Sequence, residues 1–324
     1  MIQSIGTLPI YLGFTLLVIV LLAVDFAVLK TQGNHRVSAK EAAWWSVVWI
    51  AISLVFCAWF WWYLDGLFGR EFANEKALEY LSGYLIEKSL AVDNVFVWIT
   101  LFGFFAVPAA FQKRVLLYGV LGAIVMRAVL IYVGALLLAK FHWILYVFGL
   151  FLLVTGVKML VFSSHDPDLE KNPLLRWMRR HMKITSEYHD EKFFVDKGGV
   201  RYATPMFVVL VLVEATDLIF AVDSIPAIFA VTSDPFIVFT SNIFAILGLR
   251  AMYFLLSDMA ERFHLLKYGL AVILLFIGTK MLLLDIYKIP IGIALGVVGL
   301  ILLVSVVASL VTSKPSGPQV EKRL

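Results

Sequence analysis

Three acidic residues, Glu214, Asp217 and Asp223, lie in a stretch that is otherwise as apolar as lipid. Apolar residues fill 207–213 before the first acid and 227–231 after the last. A charge at the centre of a bilayer costs about 2.5 to 3.5 kcal/mol, so three acids on one helix need protein, water or a bound cation around them. A salt-bridge cluster that holds a helical bundle together is the alternative, but three acids on one segment exceed what packing requires.

Pro226 follows these acids and predicts a break in the helix. Proline has no N–H, and its ring clashes with the carbonyl group four residues earlier, here that of Val222. We therefore expect a free backbone oxygen beside Asp223. Acidic residues next to a broken helix at membrane depth are typical of cation transporters.

The composition indicates an all-α polytopic membrane protein. Hydrophobic residues make up 61% of the chain and charged residues 15%, whereas soluble domains are about 45–50% apolar and 25% charged. A single cysteine, Cys57, leaves neither a disulfide framework nor a thiolate metal site. Because a span needs about 20 apolar residues, we predict about nine transmembrane helices, over residues 9–29, 43–64, 78–106, 113–138, 142–162, 204–231, 236–257, 267–286 and 289–312.

The basic residues predict the orientation of these helices. Lys and Arg are concentrated in alternate connections and in the tail, within 30–40, 113–114, 171–201, 262–267 and 314–323. Since cytoplasmic segments carry the excess of Lys and Arg, we expect the N-terminus outside and the C-terminus in the cytoplasm. Residues 1–10 contain neither Lys nor Arg, which favours a retained first span over a cleaved signal peptide.

Residues 163–203 form the one sizeable polar segment and are predicted to be a cytoplasmic loop. We expect a short basic amphipathic helix near 173–180 and a small hairpin around 196–199. The histidines and acids of this loop leave two interpretations, a metal-sensing site or, as the favoured one, a solvated loop. The tail, 314–324, is polar and predicted to be disordered.

The chain contains an internal repeat. Three matches occur in the same order in both halves: 90–94 with 220–224, 126–128 with 249–251, and 156–160 with 278–282. They define a first repeat over 78–162 and a second over 204–288, leaving two accessory helices in 1–77 and a last helix in 289–313. Three spans per repeat is an odd number, so the repeats are inverted in the membrane, an arrangement typical of transporters with a site at the repeat interface.

The repeat aligns the acids of the two halves. Asp93 corresponds to Asp223, and Glu87 corresponds to Asp217. On a regular helix Glu214 and Asp217 share a face, whereas Glu87 and Asp93 diverge by roughly 120°. The five acids therefore cannot all bind one ion in one rigid state. Crowded carboxylates in a low dielectric take up protons readily, which makes proton exchange for a cation feasible.

Neutral oxygen ligands lie nearby, and the donor set selects the class of metal. Asn94, Ser224 and Asn242 are the candidates, together with free carbonyl groups. Oxygen ligands of this kind suit Mg²⁺, Ca²⁺ and Mn²⁺. Asp25, in a further Ala-Val-Asp triplet, is an open case: it either joins the site or faces water near the cytoplasmic end.

Four basic residues lie in the predicted repeats and are candidates for charge pairing. Arg127 and Arg250 are deep in their spans and are expected to pair with acids when the site is empty. We favour fixed struts over counter-ions that exchange with metal. Lys158 and Lys280 lie nearer helix ends, where their amines can reach the interface. For Lys88 we expect an ion pair with neighbouring Glu87.

Three stretches carry a family resemblance: GYLIEKSLAVDNVF at 83–96, DLIFAVDSIPAI at 217–228 and SNIFAILGLR at 241–250. On these the chain resembles the TerC/Alx family of integral membrane proteins, and its Alx branch in particular. The family is similar, more distantly, to the LysE superfamily with its two three-helix repeats. The resemblance implies manganese export across the bacterial inner membrane, with Glu87, Asp93, Glu214, Asp217 and Asp223 handling the metal.

We accordingly expect a transporter and not an enzyme. It would export Mn²⁺ by alternating access, with protons as the exchange ion, the lipid bilayer as its surroundings, and neither a permanent cofactor nor nucleic acid as a partner. A metal-delivery or scaffold protein that supplies exported enzymes without transport of its own is the alternative. A transporter of small organic cations or a membrane hydrolase is less favoured; the chain has no Gly-x-Gly-Asp, His-Glu-x-x-His or Gly-x-Ser-x-Gly motif.

Overall fold

The computed structural model describes residues 4–31, 38–141, 143–161, 171–257, 263 and 265–312. Helices dominate this part of the chain, and one short hairpin precedes the seventh helix. In chain order the elements are α1 Leu8–Thr31, α2 Ala39–Phe68, α3 Arg70–Phe104, α4 Ala109–Lys140, α5 Ile144–Val161, α6 Pro173–His181, β1 Phe194–Lys197, β2 Val200–Ala203, α7 Pro205–Phe229, α8 Pro235–Leu247, α9 Leu249–Ser257, α10 Leu266–Leu282 and α11 Ile291–Thr312.

The long apolar helices make this an all-α polytopic membrane protein. Among the described residues, six helices are long and apolar enough to cross a membrane: α1, α2, α4, α5, α7 and α11. A seventh is obtained if α8 and α9 count as one span bent by 41°. Helix α3 has 35 residues but carries several charges in its middle, and α10 has only 17 residues. Each of the nine predicted stretches contains a helix. That all nine cross the membrane stays a prediction.

The break in helical structure occurs at Gly248 and not at Pro226. Helix α7 runs through Pro226 to Phe229, and the Ala230 N–H donates to the Pro226 carbonyl at 3.0 Å. The predicted break beside Asp223 is therefore wrong. Pro226 lies in the last turn of α7, where little helix remains to be interrupted.

Lys88 explains how the break at Gly248 is stabilised. Its Nζ donates to the Ala245 carbonyl at 3.2 Å, in the last turn of α8. Carbonyl groups at a helix C-terminus lack partners within the helix and attract cations. The predicted ion pair between Lys88 and Glu87 is wrong, because the two side chains leave α3 toward different partners.

The helices of the two predicted repeats interlock around α3 and α7. Helix α3 packs on α7, α8 and α9, while α4 packs on α7 and α8. Helix α5 packs along α10, and glycines let these two backbones approach closely: a Cβ at Gly278 would lie 2.8 Å from the Gly149 carbonyl oxygen. Residues from α3 and α7 thereby face one another in the middle of the bundle. Inversion of the repeats in a membrane stays a prediction.

The segment before α7 matches its predicted structure. Strands β1 and β2 pair antiparallel, with Asp196 opposite Arg201, and Gly198 and Gly199 supply the positive φ angles of a two-residue turn. Helix α6 confirms the predicted short helix. The Tyr188 hydroxyl donates to the Phe105 carbonyl at 2.7 Å, which ties the segment to the end of α3. Residues 162–170 and the predicted disordered tail, 314–324, lie outside the described residues.

Candidate functional site

A buried cluster of charges lies where α3, α4 and α7 meet. Arg127 of α4 donates to Glu87 of α3 through Nη1, and to Asp217 of α7 through Nε at 3.2 Å and Nη2 at 3.0 Å. Each of the three side chains is at most 1% exposed. Because an isolated buried charge is very unfavourable, the arginine and the two carboxylates depend on one another.

Two asparagines complete the hydrogen bonding of these acids. The Asn94 side chain donates to Asp217 at 2.8 Å, and the Asn242 side chain donates to Glu87 at 3.0 Å. Arg127 also donates to the Ser224 hydroxyl at 3.3 Å and lies 3.5 Å from the Asn242 side-chain oxygen. Two predicted acids and all three predicted neutral ligands thus gather around a guanidinium group.

A small cavity of about 30 Å³ adjoins this cluster. Its polar lining consists of Glu87, Asp93, Asn94, Arg127, Asp223 and Ser224, and its apolar lining of Leu90, Met159, Phe220 and Leu274. A water molecule needs roughly 10–15 Å³ measured in this way, so the space suits one small ion or one or two waters.

The polar atoms at the cavity have spare capacity to bind. The Asn94 side-chain oxygen is buried and has no hydrogen-bond partner among the described residues. Asp223, which also lines the cavity, accepts one hydrogen bond from the Thr155 hydroxyl, at 3.3 Å. The carboxylates of Asp93 and Asp223, one from α3 and one from α7, both line the space. These atoms form a set of oxygen donors that a hard cation prefers.

Glu214 lies apart from the cavity. It is half-buried on α7, and its carboxylate packs so closely on Gly122 of α4 that a Cβ there would collide with it. The five predicted acids therefore take three positions: Glu87 and Asp217 bind Arg127, Asp93 and Asp223 line the cavity that Glu87 also reaches, and Glu214 lies outside the cavity lining. Within the described part of the chain, no group of three or more His, Cys, Asp or Glu side chains is arranged to hold a metal ion.

Asp25 neither joins this site nor faces water. It is buried in α1 and accepts a hydrogen bond from Arg250 of α9, forming an ion pair. Arg250 therefore pairs with an acid, as Arg127 does, but with one outside the predicted repeats. Of the two lysines, Lys158 is exposed on α5, whereas Lys280 is buried on α10 and lines a second cavity of about 10 Å³.

A polar cluster near the beginning of α3 was not predicted from the sequence. Glu79 is 5% exposed, accepts from the Thr232 hydroxyl at 2.5 Å and pairs with Lys76 at 2.7 Å. The signal was present in the sequence, since Glu79 is an acid within the predicted apolar span 78–106. The cluster joins α3 to the connection between α7 and α8.

Comparison with known proteins places this architecture in a family. The model of the integral membrane protein TerC family matches residues 72–316. The chain is 57% identical to the "Putative membrane-bound redox modulator Alx" of Salmonella typhi, over 94% of this chain and 95% of that protein. It is 58% identical to the protein of the same name from Escherichia coli K12, over 91% and 92%.

A more distant relative also matches over nearly its full length. An uncharacterized membrane protein of Myxococcus xanthus is 46% identical over 96% of this chain and 95% of that protein. No solved structure matches the chain. The family match and the full-length relatives agree with the stretches identified in the sequence. This chain therefore belongs to the TerC family of integral membrane proteins, among its Alx-like members.

Proposed function

We propose that the protein exports a hard divalent cation, with Mn²⁺ as the favoured substrate, from the bacterial cytoplasm across the inner membrane. The observation that carries this proposal is the cavity between α3 and α7. Its carboxylates, Asp93 and Asp223, come from corresponding positions of the two predicted repeats. Each is followed by a neutral oxygen donor, Asn94 or Ser224, that lines the same space.

The chemistry of the cavity favours a hard divalent cation over an organic one. The space of about 30 Å³ is too small for an organic cation of several heavy atoms, and its polar lining offers oxygen atoms without thiolate or imidazole. Carboxylate and amide oxygens are preferred by Mg²⁺, Ca²⁺ and Mn²⁺. The choice of Mn²⁺ among these rests on the family resemblance.

The position of the cavity supports transport by alternating access. Acids at the interface of two helical repeats within the membrane are typical of secondary transporters. Relative movement of α3 and α7 would change the separation of Asp93 and Asp223, and with it the affinity for a cation. In this scheme the N-terminus faces outside, the C-terminus faces the cytoplasm, and protons are the exchange ion.

The name that the relatives carry suggests a second function, a redox role. Within this chain thiol chemistry has little to act on, because Cys57 is the single cysteine. Its thiol is buried in α2 and donates a long hydrogen bond to the Ala77 carbonyl, at 3.9 Å. An internal dithiol switch therefore cannot form, and the cavity remains the better guide to function.

Reconstituted protein tests the proposal. Proteoliposomes that contain a Mn²⁺-sensitive dye should take up Mn²⁺, and uptake should respond to an imposed pH gradient. D93N and D223N should abolish uptake, whereas D65N, a matched change at the end of α2, should retain it. Asp65 pairs with exposed Arg70, and such surface pairs contribute little.

The same assay separates the proposal from the metal-delivery alternative. A delivery protein would bind Mn²⁺ in a manner that depends on Asp93 and Asp223, yet give no flux in liposomes without a partner. A folded parent protein that neither binds nor transports any divalent cation would contradict both readings. Uptake that is equal in D93N, D223N and the parent would place the route elsewhere.

A further inference from the structure

The Arg127 guanidinium occupies the point at which oxygen donors from three helices converge. Glu87 of α3 and Asp217 of α7 both accept hydrogen bonds from it, and Ser224 and Asn242 supply further oxygens at 3.3 Å and 3.5 Å. These are the atoms that a divalent cation would use as ligands. Arg127 and a cation therefore compete for the same donors.

The charges of the cluster are suited to such competition. With both carboxylates ionised, Glu87 and Asp217 carry two negative charges, which the single positive charge of Arg127 compensates only in part. Lys88, the basic neighbour of Glu87, directs its amine to the Ala245 carbonyl instead. A divalent cation that replaced the guanidinium would neutralise the pair completely.

An incoming cation has room to arrive before the arginine leaves. The cavity that holds Asp93 and Asp223 is also lined by Glu87 and Arg127. The Asn94 side chain connects the cluster with the cavity: its nitrogen donates to Asp217, and its oxygen has no hydrogen-bond partner among the described residues. A cation can thus bind first in the cavity and then draw Glu87 or Asp217 away from the guanidinium.

We propose that Arg127 is a tethered cation that exchanges with the transported divalent cation for Glu87 and Asp217. When the transporter is empty, the guanidinium holds the two carboxylates together. It also compensates their negative charge while the transporter changes back to the state that takes up metal from the cytoplasm. When metal binds, the guanidinium is displaced. This inference rests on the proposed function and reverses the preference for a fixed strut drawn from the sequence.

The second buried arginine provides a matched control. Arg250 occupies the position that corresponds to Arg127 in the repeat, but it binds Asp25. In the part of the chain that the structure describes, neither Arg250 nor Asp25 belongs to the cavity lining, and neither forms a hydrogen bond or ion pair with Glu87 or Asp217. The double variant D25N/R250Q removes a buried arginine and its partner together, so it controls for loss of a buried charge as such.

The experiment compares R127Q with the parent in Mn²⁺ binding and in two modes of flux. We expect R127Q to bind Mn²⁺ about tenfold or more tightly, because the competing cation is gone. It should retain exchange of Mn²⁺ against Mn²⁺ across proteoliposomes, since the loaded carrier still crosses. It should lose net efflux, because the empty carrier returns with two uncompensated carboxylates.

The outcomes separate this inference from the proposed function. A parent protein without Mn²⁺ binding or flux contradicts the function. If the parent is active, two results with R127Q overturn the inference. One is Mn²⁺ binding no tighter than that of D25N/R250Q, and the other is loss of exchange and of net efflux in the same proportion. If R127Q does not fold, R127K decides: it should bind Mn²⁺ severalfold more tightly and keep net efflux, and unchanged or weaker binding counts against the proposal.

Discussion

Asn94 donates a hydrogen bond to Asp217 at 2.8 Å, lines the cavity, and has a buried side-chain oxygen without a hydrogen-bond partner in the part of the chain that the structure describes. One amide thus connects the carboxylate that Arg127 holds to the space in which a cation would bind. The orientation of the amide follows from this bond, because an ionised carboxylate accepts hydrogen bonds and leaves the amide oxygen to face away. If the proposed cation binds in the cavity, Asn94 would supply a neutral ligand whose orientation this bond fixes.

Replacing Asn94 by alanine should weaken Mn²⁺ binding. The change removes one oxygen ligand and one hydrogen bond to Asp217, and such losses typically cost about 1–3 kcal/mol, or roughly ten- to hundredfold in affinity. Titration of the purified protein with Mn²⁺ measures the effect. N74A is the control, because Asn74 bonds to Trp61 near the beginning of α3. Equal affinity of N94A and N74A would remove Asn94 from the site.

The buried pair of Asp25 and Arg250 should be more important for stability than for transport. D25N removes the acid that is hydrogen-bonded to this buried arginine, and breaking a buried pair on one side typically costs about 3–5 kcal/mol. D25N/R250Q should recover much of this loss, since it removes both members of the pair. Thermal unfolding of the detergent-purified proteins tests the prediction. If the loss of stability in D25N/R250Q equals the sum of the losses in D25N and R250Q, the two side chains do not depend on one another.

Much of the helical architecture follows from the sequence, because lipid imposes long apolar runs and leaves polar residues to mark exceptions. The hairpin was predictable for a local reason, since Gly198 and Gly199 supply the positive φ angles of its turn. The break between α8 and α9 was not predictable in this way. Proline predicts a break at Pro226, whereas the break lies at Gly248, where a lysine from another helix binds the Ala245 carbonyl, a contact that no local pattern reveals.

The partners of the two buried arginines, Arg127 and Arg250, could not be predicted from the sequence either. Sequence spacing placed Glu87 and Asp217 at corresponding repeat positions, but not Arg127 between them. That choice depends on how α4 is rotated against α3 and α7, and the rotation is decided by packing such as that of Glu214 on Gly122. Asp25 was undecided for the same reason, because its partner lies 225 positions away along the chain.

Alanine at Gly278 should loosen the contact between α5 and α10. The new Cβ would lie 2.8 Å from the Gly149 carbonyl oxygen and 3.0 Å from the Leu153 backbone nitrogen, atoms that cannot move without moving the helix. Overpacking of this kind typically costs about 1–3 kcal/mol. G292A is the matched control, because nothing lies within 4 Å of the corresponding position on α11. Equal thermal stability of G278A and G292A would show that α5 and α10 are not closely packed at Gly278.

Alanine at Gly248 tests how the broken span is held. A Cβ there would lie 2.5 Å from the Lys88 amine, so the lysine would have to leave the Ala245 carbonyl. We expect G248A to lower the free energy of unfolding by about 1 kcal/mol, the usual contribution of one hydrogen bond, more if the charge strengthens it. G103A should be neutral or slightly stabilising, because its Cβ meets open space in α3 and alanine is the better helix former. In a K88M background the penalty of G248A should shrink, since the bond that it disrupts is already absent. An undiminished penalty in that background would place its origin in the Trp49 side chain, whose Cβ atom lies 3.2 Å from the position of the new Cβ.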